Sequence, residues 1–213
     1  FSDGLVVSAN FQTKGKGQMG AVWESSDGKN LLLSFLLELN LSLNNQFLIS
    51  QYTSLAIHDF LKKYFGNIKI KWPNDILING KKISGILINN ITRKENIQFS
   101  VIGIGININQ KIFINNNATS LSSLTNNTFN LSVLEREFFT CFNKRIKNLK
   151  DKVNVDSEYL SKLFLFKKLV KYKGLDGYFN GYINGVDNLG RLIIVKEDSK
   201  EYYYQLKELY YPM

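Results

Sequence analysis

The 213-residue chain is 44% hydrophobic, which suits one medium domain with a small appendage and a core that needs neither disulfides nor a structural metal. One cysteine, Cys141, rules out a disulfide framework within one copy, and one histidine, His58, rules out multi-histidine metal sites and makes a Ser-His-Asp triad a poor fit. The charge balance of 27 − 18 = +9 would suit nucleic acid, a membrane surface, an anionic ligand or an acidic partner, but the accompanying excess of Lys, Asn and Ile reads more plainly as the codon bias of an AT-rich genome.

The elements follow in chain order. Leu5 to Phe11 reads as a strand, and Thr13 to Val22 as a glycine-rich, lysine-containing loop with too little apolar content to pack on its own. Leu31 to Leu37 is a continuous apolar run, as in a buried strand. From Gln46 to Phe65, Ile49, Tyr52, Ala56, Phe60 and Tyr64 recur at helical spacing, and Gly66 reads as the C-terminal stop. Strands are expected at Ile68–Trp72, Asp75–Ile78 and Lys82–Asn89, the last two joined by the hairpin pair Asn79-Gly80. Ile97 to Ile108 is a further strand, interrupted by Gly103 and Gly105. Ser132 and Glu135 form a capping box before a helix carrying Leu134, Phe138, Phe142, Ile146 and Leu149. Cys141, among Phe138, Phe139 and Phe142, reads as a small buried hydrophobe. A short helix is expected near Asp156–Phe164. From about Lys168 short alternating runs are split by Gly174, Gly177, Gly185 and Gly190, with a turn at Asp187–Gly190, which predicts a small β-barrel or sheet. The expected fold is α+β: a mixed β-sheet flanked by helices over residues 1–166, then a small β domain over 167–213. No apolar run approaches the roughly 20 residues of a membrane-spanning helix. No signal peptide opens the chain, and with a lone cysteine this points to the cytoplasm.

Three segments could carry chemistry. In Gln12–Trp23, Gly15, Gly17 and Gly20 leave backbone N–H groups open to an anion, and Lys16 adds charge; the alternative is a flexible surface loop. It is not a P-loop, since no Gly-Lys-Ser/Thr follows. In Lys69–Ile76, Lys71 stands at a strand end where Pro73 enforces a turn, so its charge can be aimed at a phosphate, and Asn74 and Asp75 offer oxygen to magnesium; the alternative is an ordinary hairpin. In Val101–Asn109 the third glycine of a dinucleotide fingerprint is missing, because Ile108 holds its place. What remains is a strand whose absent side chains let a ligand lie on the backbone, with Asn107 beside it, or else a bulge in the core.

In this order and spacing the segments resemble the biotin–protein ligase family, also called biotin–[acetyl-CoA-carboxylase] ligases. Its glycine-rich loop matches Gly15–Trp23, its Lys-Trp-Pro-Asn-Asp motif matches Lys71–Asp75 unchanged, and Lys82–Leu87, Gly103–Asn107 and Ala118–Leu121 match further signatures. The last 45 or so residues resemble its SH3-like C-terminal domain, so the likeness covers nearly the whole chain. It implies a class II synthetase-like catalytic domain that forms biotinyl-5′-AMP from biotin and ATP with Mg2+, and then biotinylates a lysine of a biotin carboxyl carrier protein. By position it implies Lys71 and Lys16 as catalytic residues. Gln12, Gly15, Lys16, Gly17, Gln18, Lys71, Leu87, Gly103 and Gly105 would contact biotin. Gly15, Lys16, Trp23 and Asn107 would contact ATP or the adenylate, and Asp75 and Asn107 the metal. The loop Thr13–Val22 would be a mobile lid.

The chain departs from the family in two places. Lys16 and Gln18 replace arginines, losing bidentate phosphate geometry and, at Gln18, the charge. The family's Ser-Thr-Asn biotin element, which precedes the loop, is not found before Phe1, so an upstream segment is expected. No winged-helix DNA-binding domain is visible, so no DNA partner is expected; both monomers and homodimers occur in the family. Rival readings are a lipoate or octanoate ligase or transferase of the same fold, a basic nucleic-acid-binding module, and a non-catalytic biotin binder.

Overall fold

The computed structural model describes residues 4–212; Phe1, where the pattern opens abruptly, and Met213, the end of the expected C-terminal domain, lie outside them. Two long antiparallel strands organise the large sheet. The leucine run continues as an alternating pattern through Leu39 and Leu41, so β2 (Asn30–Ser42) is longer than the apolar run alone suggests. It pairs with β6 (Asn96–Asn107), placing Leu33 opposite Ile104 and Phe35 opposite Ile102. Around this pair the sheet adds β1 (Leu5–Ala9), β5 (Lys81–Arg93), β4 (Asp75–Ile78) and β3 (Ile68–Lys71), in the order β1-β2-β6-β5-β4-β3.

Every ladder between these strands is antiparallel, which corrects the expected mixed sheet. Among the described residues, parallel pairing occurs only as isolated bridges such as Ile70–Leu163 and Lys82–Ala118. The reason is local: the β3–β4 and β4–β5 connections are tight turns, and tight turns can only reverse direction. Asn79 and Gly80 both take positive φ, 50° and 79°, as the predicted hairpin turn requires.

The helices lie on one face. Helix α1 (Phe47–Leu61) is buried almost all round, between the sheet and α3 (Leu131–Lys150). Three of its polar residues find partners: Ser50 Oγ donates to the Pro73 carbonyl at 3.1 Å, Thr53 Oγ1 to the Ile49 carbonyl at 2.7 Å, and Gln51 Nε2 to Asp156 at 3.1 Å. The helix ends at Leu61, before Tyr64 and Gly66, so Gly66 is not its cap. Helix α3 is capped by Asn130, whose Oδ1 accepts from the Val133 N–H at 3.2 Å; Ser132 already lies inside the helix, and the expected capping box is corrected to an Asn cap two residues earlier. Phe35 stacks on Phe142 at 4.0 Å between centroids, tying α3 to β2. Cys141 is half-buried rather than buried, and burial pushes its thiol up. The short helices α2 (Leu121–Thr125) and α4 (Asp156–Lys162) complete this layer.

Behind the helical layer, Arg145 donates to Asp59 at 2.7 Å and to both oxygens of Glu158 at 2.7 Å each. Burial alone would raise Asp59; the His58 imidazole 3.9 Å away and the hydrogen bond and charge of Arg145 outweigh it and hold its carboxyl at about 2.

The C-terminal residues form a second, five-stranded antiparallel sheet: β7 (Val170–Gly174), β8 (Gly177–Val186), β9 (Leu192–Lys196), β10 (Glu201–Tyr204) and β11 (Leu209–Tyr210), in the order β10-β9-β8-β7-β11. It docks through its β8–β9 turn. Gly190, at φ 90°, packs so closely on Phe47 that a Cβ would stand 2.7 Å from the ring, and its carbonyl accepts from Trp72 Nε1 at 2.8 Å. Tyr172, Ile183, Leu192, Ile194 and Leu209 belong to the same buried cluster as the large sheet and its helices.

Candidate active site

The face of the large sheet away from the helices carries the site. Side chains directly opposite one another in antiparallel strands share a face. Register therefore sets two rows across this face: Ser34, Gly103 and Leu87, then Leu32, Gly105, Gly85, Asp75 and Lys71. With glycine at three of these positions the sheet has a shallow trough, and the loop between β1 and β2 folds over it. The cavity between them holds about 470 Å3.

The loop, read from sequence as a flexible lid, is closed on itself. Trp23 N–H donates to the Gly15 carbonyl at 3.0 Å, Gly17 N–H to Ala21 at 2.7 Å, and Ala21 N–H to Gln18 at 3.0 Å. Met19 and Gly20 take positive φ, 52° and 80°, at its tip. Gly15 must be glycine, since a Cβ there would fall 2.5 Å from the Trp23 carbonyl oxygen.

Of the residues singled out from sequence, the structure brings Gln12, Lys16, Gly17, Gln18, Trp23, Asp75, Leu87, Gly103 and Gly105 to the cavity wall. Gly15 stands just behind it, under Trp23 and Gln12. Two stand apart. Lys71 begins in the right row, but its ammonium sits 5.1 Å from the centre of the Tyr211 ring. Burial, first of all, pushes the Tyr211 hydroxyl well up. Asn107 is buried at the end of β6, where Nδ2 donates to the Thr119 carbonyl at 3.0 Å; it is not on the cavity wall. Ala118–Leu121, the other signature segment, serves structure: Ser120 caps α2 by accepting from the Ser123 N–H at 3.1 Å.

The wall also contains residues to which the sequence reading gave no role. Lys82 reaches Asp75, Nζ to Oδ1 2.6 Å, and lies 5.5 Å from the centre of the Trp23 ring. The Lys82–Asp75 contact is an ion pair by distance, but its angles lie outside hydrogen-bond geometry. Lys14 and Lys207, the latter from the C-terminal sheet, add charge at the rim. Lys82 and Lys207 escape sequence reading because one depends on a strand irregularity and the other on docking of a distant sheet. Among the described residues, Gln18 Oε1, Trp23 Nε1 and Asp75 Oδ1 are buried without a hydrogen-bond partner, and all three belong to residues of this wall. Buried polar atoms left unpaired are costly, and a bound ligand could give these three their partners, although eight more such atoms among the described residues lie away from the cavity.

Chemically, the cavity combines a lysine-rich rim, one carboxylate, an indole face and an apolar floor at Leu87, Val101 and Gly103. That suits a ligand with an anionic part and an uncharged ring. Among the described residues no group of three or more His, Cys, Asp or Glu could hold a metal. Asp75 as a single carboxylate still fits magnesium carried on nucleotide phosphates, which needs only one or two protein oxygens.

Comparison with known proteins agrees with this geometry. Residues 2–107 match the biotin/lipoate A/B protein ligase family, and the chain belongs to that family. Its relatives include the bifunctional ligase/repressor BirA of Bacillus subtilis, 30% identical over 210 residues that make up 90% of this chain and 62% of the relative. A human biotin–protein ligase is 32% identical over 164 residues, 70% of this chain and 22% of that protein. The biotin protein ligase of Aquifex aeolicus, solved in complex with biotin and ATP, superposes with a TM-score of 0.74 at 27% identity over 99% of this chain and 89% of that one. The chain spans 62–63% of the length of the Bacillus relatives. No helix among the described residues is long and apolar enough to cross a membrane.

Proposed function

We propose that this chain is the catalytic part of an ATP-dependent biotin–protein ligase, with residues 1–166 and 167–213 as its catalytic and C-terminal units. The observation that carries the reading is the glycine trough under a lysine-bearing glycine loop, on a fold that superposes over 99% of its length on a biotin protein ligase holding biotin and ATP.

The reaction has two parts. The biotin carboxylate attacks the α-phosphate of ATP, expelling pyrophosphate and giving a mixed anhydride. The amine of a carrier lysine then attacks the acyl carbon, AMP leaves, and an amide forms. Two anions must first be held together, and the anhydride must then be kept from water. Biotin's ring system lies against Leu87 and Gly103, with Gln12, Gly15, Gly17 and Gln18 around its polar end. Trp23 borders the nucleotide. Lys16 and Lys71 neutralise the carboxylate and α-phosphate. Lys71 is already in the cavity row by register, and a cation–π contact, about 0.5–2 kcal/mol, is weak enough to be given up for a phosphate. Asp75 would hold magnesium together with the phosphates; Asn107, committed to Thr119, is a weaker ligand for metal or adenylate. The acceptor is a lysine of a biotin carboxyl carrier protein.

The test is to incubate the chain with biotin, ATP, magnesium and a carrier domain and to weigh the carrier by mass spectrometry. The expected result is a gain of one biotin, lost in Lys71→Ala. No gain, also from a chain extended upstream, would end the reading; a gain with lipoate but not biotin would replace it with a lipoate ligase.

A further inference from the structure

The row of residues that crosses the sheet through Gly105 and Gly85 ends with Asp75 and Lys71, which stand directly opposite each other on β4 and β3. Opposite side chains of an antiparallel pair are close enough to touch, and a lysine facing an aspartate there ordinarily forms an ion pair. These two do not. Asp75 takes Lys82, Nζ to Oδ1 2.6 Å, and Lys71 pairs with no carboxylate among the described residues. Its ammonium turns instead to the face of Tyr211, 5.1 Å from the ring centre.

Tyr211 is held in that place from both sheets. It follows β11, whose Leu209 and Tyr210 pair with Gly174 and Lys173 of β7. Its ring meets Tyr172 of β7 edge-on at 6.0 Å and Phe164 at 6.2 Å between centroids. Phe164 is fastened to β3 in turn: its N–H donates to the carbonyl of Ile70, the residue before Lys71, at 2.8 Å. The Tyr211 hydroxyl is buried with no hydrogen-bond partner among the described residues, so the ring face is the part that addresses Lys71. Burial first, then the neighbouring Tyr172, Tyr159 and Asp75, push the hydroxyl's ionisation well up. The ring therefore stays neutral and meets the ammonium through its π face, not as a phenolate.

The choice of partner matters for a lysine that must meet an anionic substrate. An ion pair with Asp75 would cancel the charge of Lys71 and would have to be broken before another anion could be bound. An aromatic face attracts the ammonium without neutralising it. Resting on the ligase reading above, we propose that Tyr211 is a positioning residue: its ring holds the Lys71 ammonium off Asp75, so that the charge is free for the biotin carboxylate and the α-phosphate. The small sheet thereby acts on the reaction through Lys71, from a residue that does not itself touch substrate.

The test replaces Tyr211 by phenylalanine, which keeps the π face, and by pentafluorophenylalanine, which keeps the ring's shape but reverses its quadrupole. Adenylate formation is followed by pyrophosphate release with biotin, ATP and magnesium. Tyr211→Phe should keep kcat within about twofold of the native value, whereas Tyr211→pentafluorophenylalanine should lose about tenfold in kcat with KM for biotin and ATP changed less than about twofold. In an Asp75→Asn background, where no carboxylate can capture Lys71, the two Tyr211 variants should differ by less than about twofold. Equal kcat for the two variants with Asp75 intact would overturn the proposal, because a ring that merely packs is indifferent to fluorination. An undiminished gap in the Asp75→Asn background would overturn it too, since Tyr211 would then not act against that carboxylate. A native chain that forms no adenylate, also when extended upstream, would instead end the ligase reading. The holding of Lys71 is then still decided by the ring-current shift of its ε-methylene protons: retention in Tyr211→Phe with loss in the fluorinated variant supports it, and no difference between the two removes it.

Discussion

Gly103 and Gly105 stand two residues apart on the same face of the same strand, yet the two ends of the trough they define are unlike. A Cβ on Gly103 would meet the Leu87 carbonyl at 3.5 Å and Leu87 Cβ at 3.8 Å, ordinary contacts that leave the space above open. A Cβ on Gly105 would stand 2.4 Å from Trp23 Cε2 and Cζ2. One glycine keeps room for a ligand, and the other keeps room for the protein's own indole. A missing side chain in a strand therefore marks close approach by something, and only the folded chain says by what.

The largest effect is expected where both ends are crossed at once. Lys71→Ala should cut adenylate formation by about 10²–10³-fold with little change in melting temperature, measured by pyrophosphate release. An equal loss of stability would mean that Lys71 serves the Tyr211 contact instead. Next, Gly105→Ala must expel the indole. Its tryptophan emission should shift without any ligand, the loop Thr13–Val22 should become more open to protease, and the fold should lose about 1–3 kcal/mol in denaturant titration. Gly103→Ala should behave oppositely, with the empty protein unchanged within about 0.5 kcal/mol and biotin affinity reduced about tenfold. If the two substitutions gave the same profile, the two ends of the trough would not differ as described.

The smallest effect lies on the other side of the sheet. Asp59 is held at about 2 against an ordinary 3.8, so the stability it contributes is present above the ordinary value and is lost as pH falls towards 2. Between pH 5 and 2 the denaturation midpoint of the native protein should fall further than that of Asp59→Asn. The gap should be modest because the group is half-exposed. A parallel fall in both would remove Asp59 from the account.

The order of the motifs made most of this site readable in advance, because the loop, the Lys71–Asp75 turn and the Gly103–Gly105 strand are short local patterns. What stayed hidden was non-local or depended on counting. Trp23 and Gly105 are 82 positions apart, and nothing in either segment announces their contact. Lys82 was in plain view, but period-two alternation sends it to the wrong face, since a bulge has no clear signature among Ile, Ser and Lys. The helical spacing of Ile49, Tyr52, Ala56 and Phe60 was legible in α1, but not that its polar Ser50, Gln51 and Thr53 are buried too, each with a partner. At α3 the cap is Asn130 and not the expected Ser132, because the Asn130 side chain is the one that reaches the Val133 N–H.

The docking of the small sheet has a thermodynamic consequence. Its Tyr172, Ile183, Leu192, Ile194 and Leu209 share one buried cluster with the large sheet, and its β8–β9 turn is fastened to Trp72 and Phe47. Neither sheet can melt without exposing apolar surface of the other, so heating should give one cooperative transition rather than two. By linkage, a ligand that binds only the folded cavity should then protect the amides of β7–β11 from hydrogen exchange as well, although most of those strands lie outside its reach.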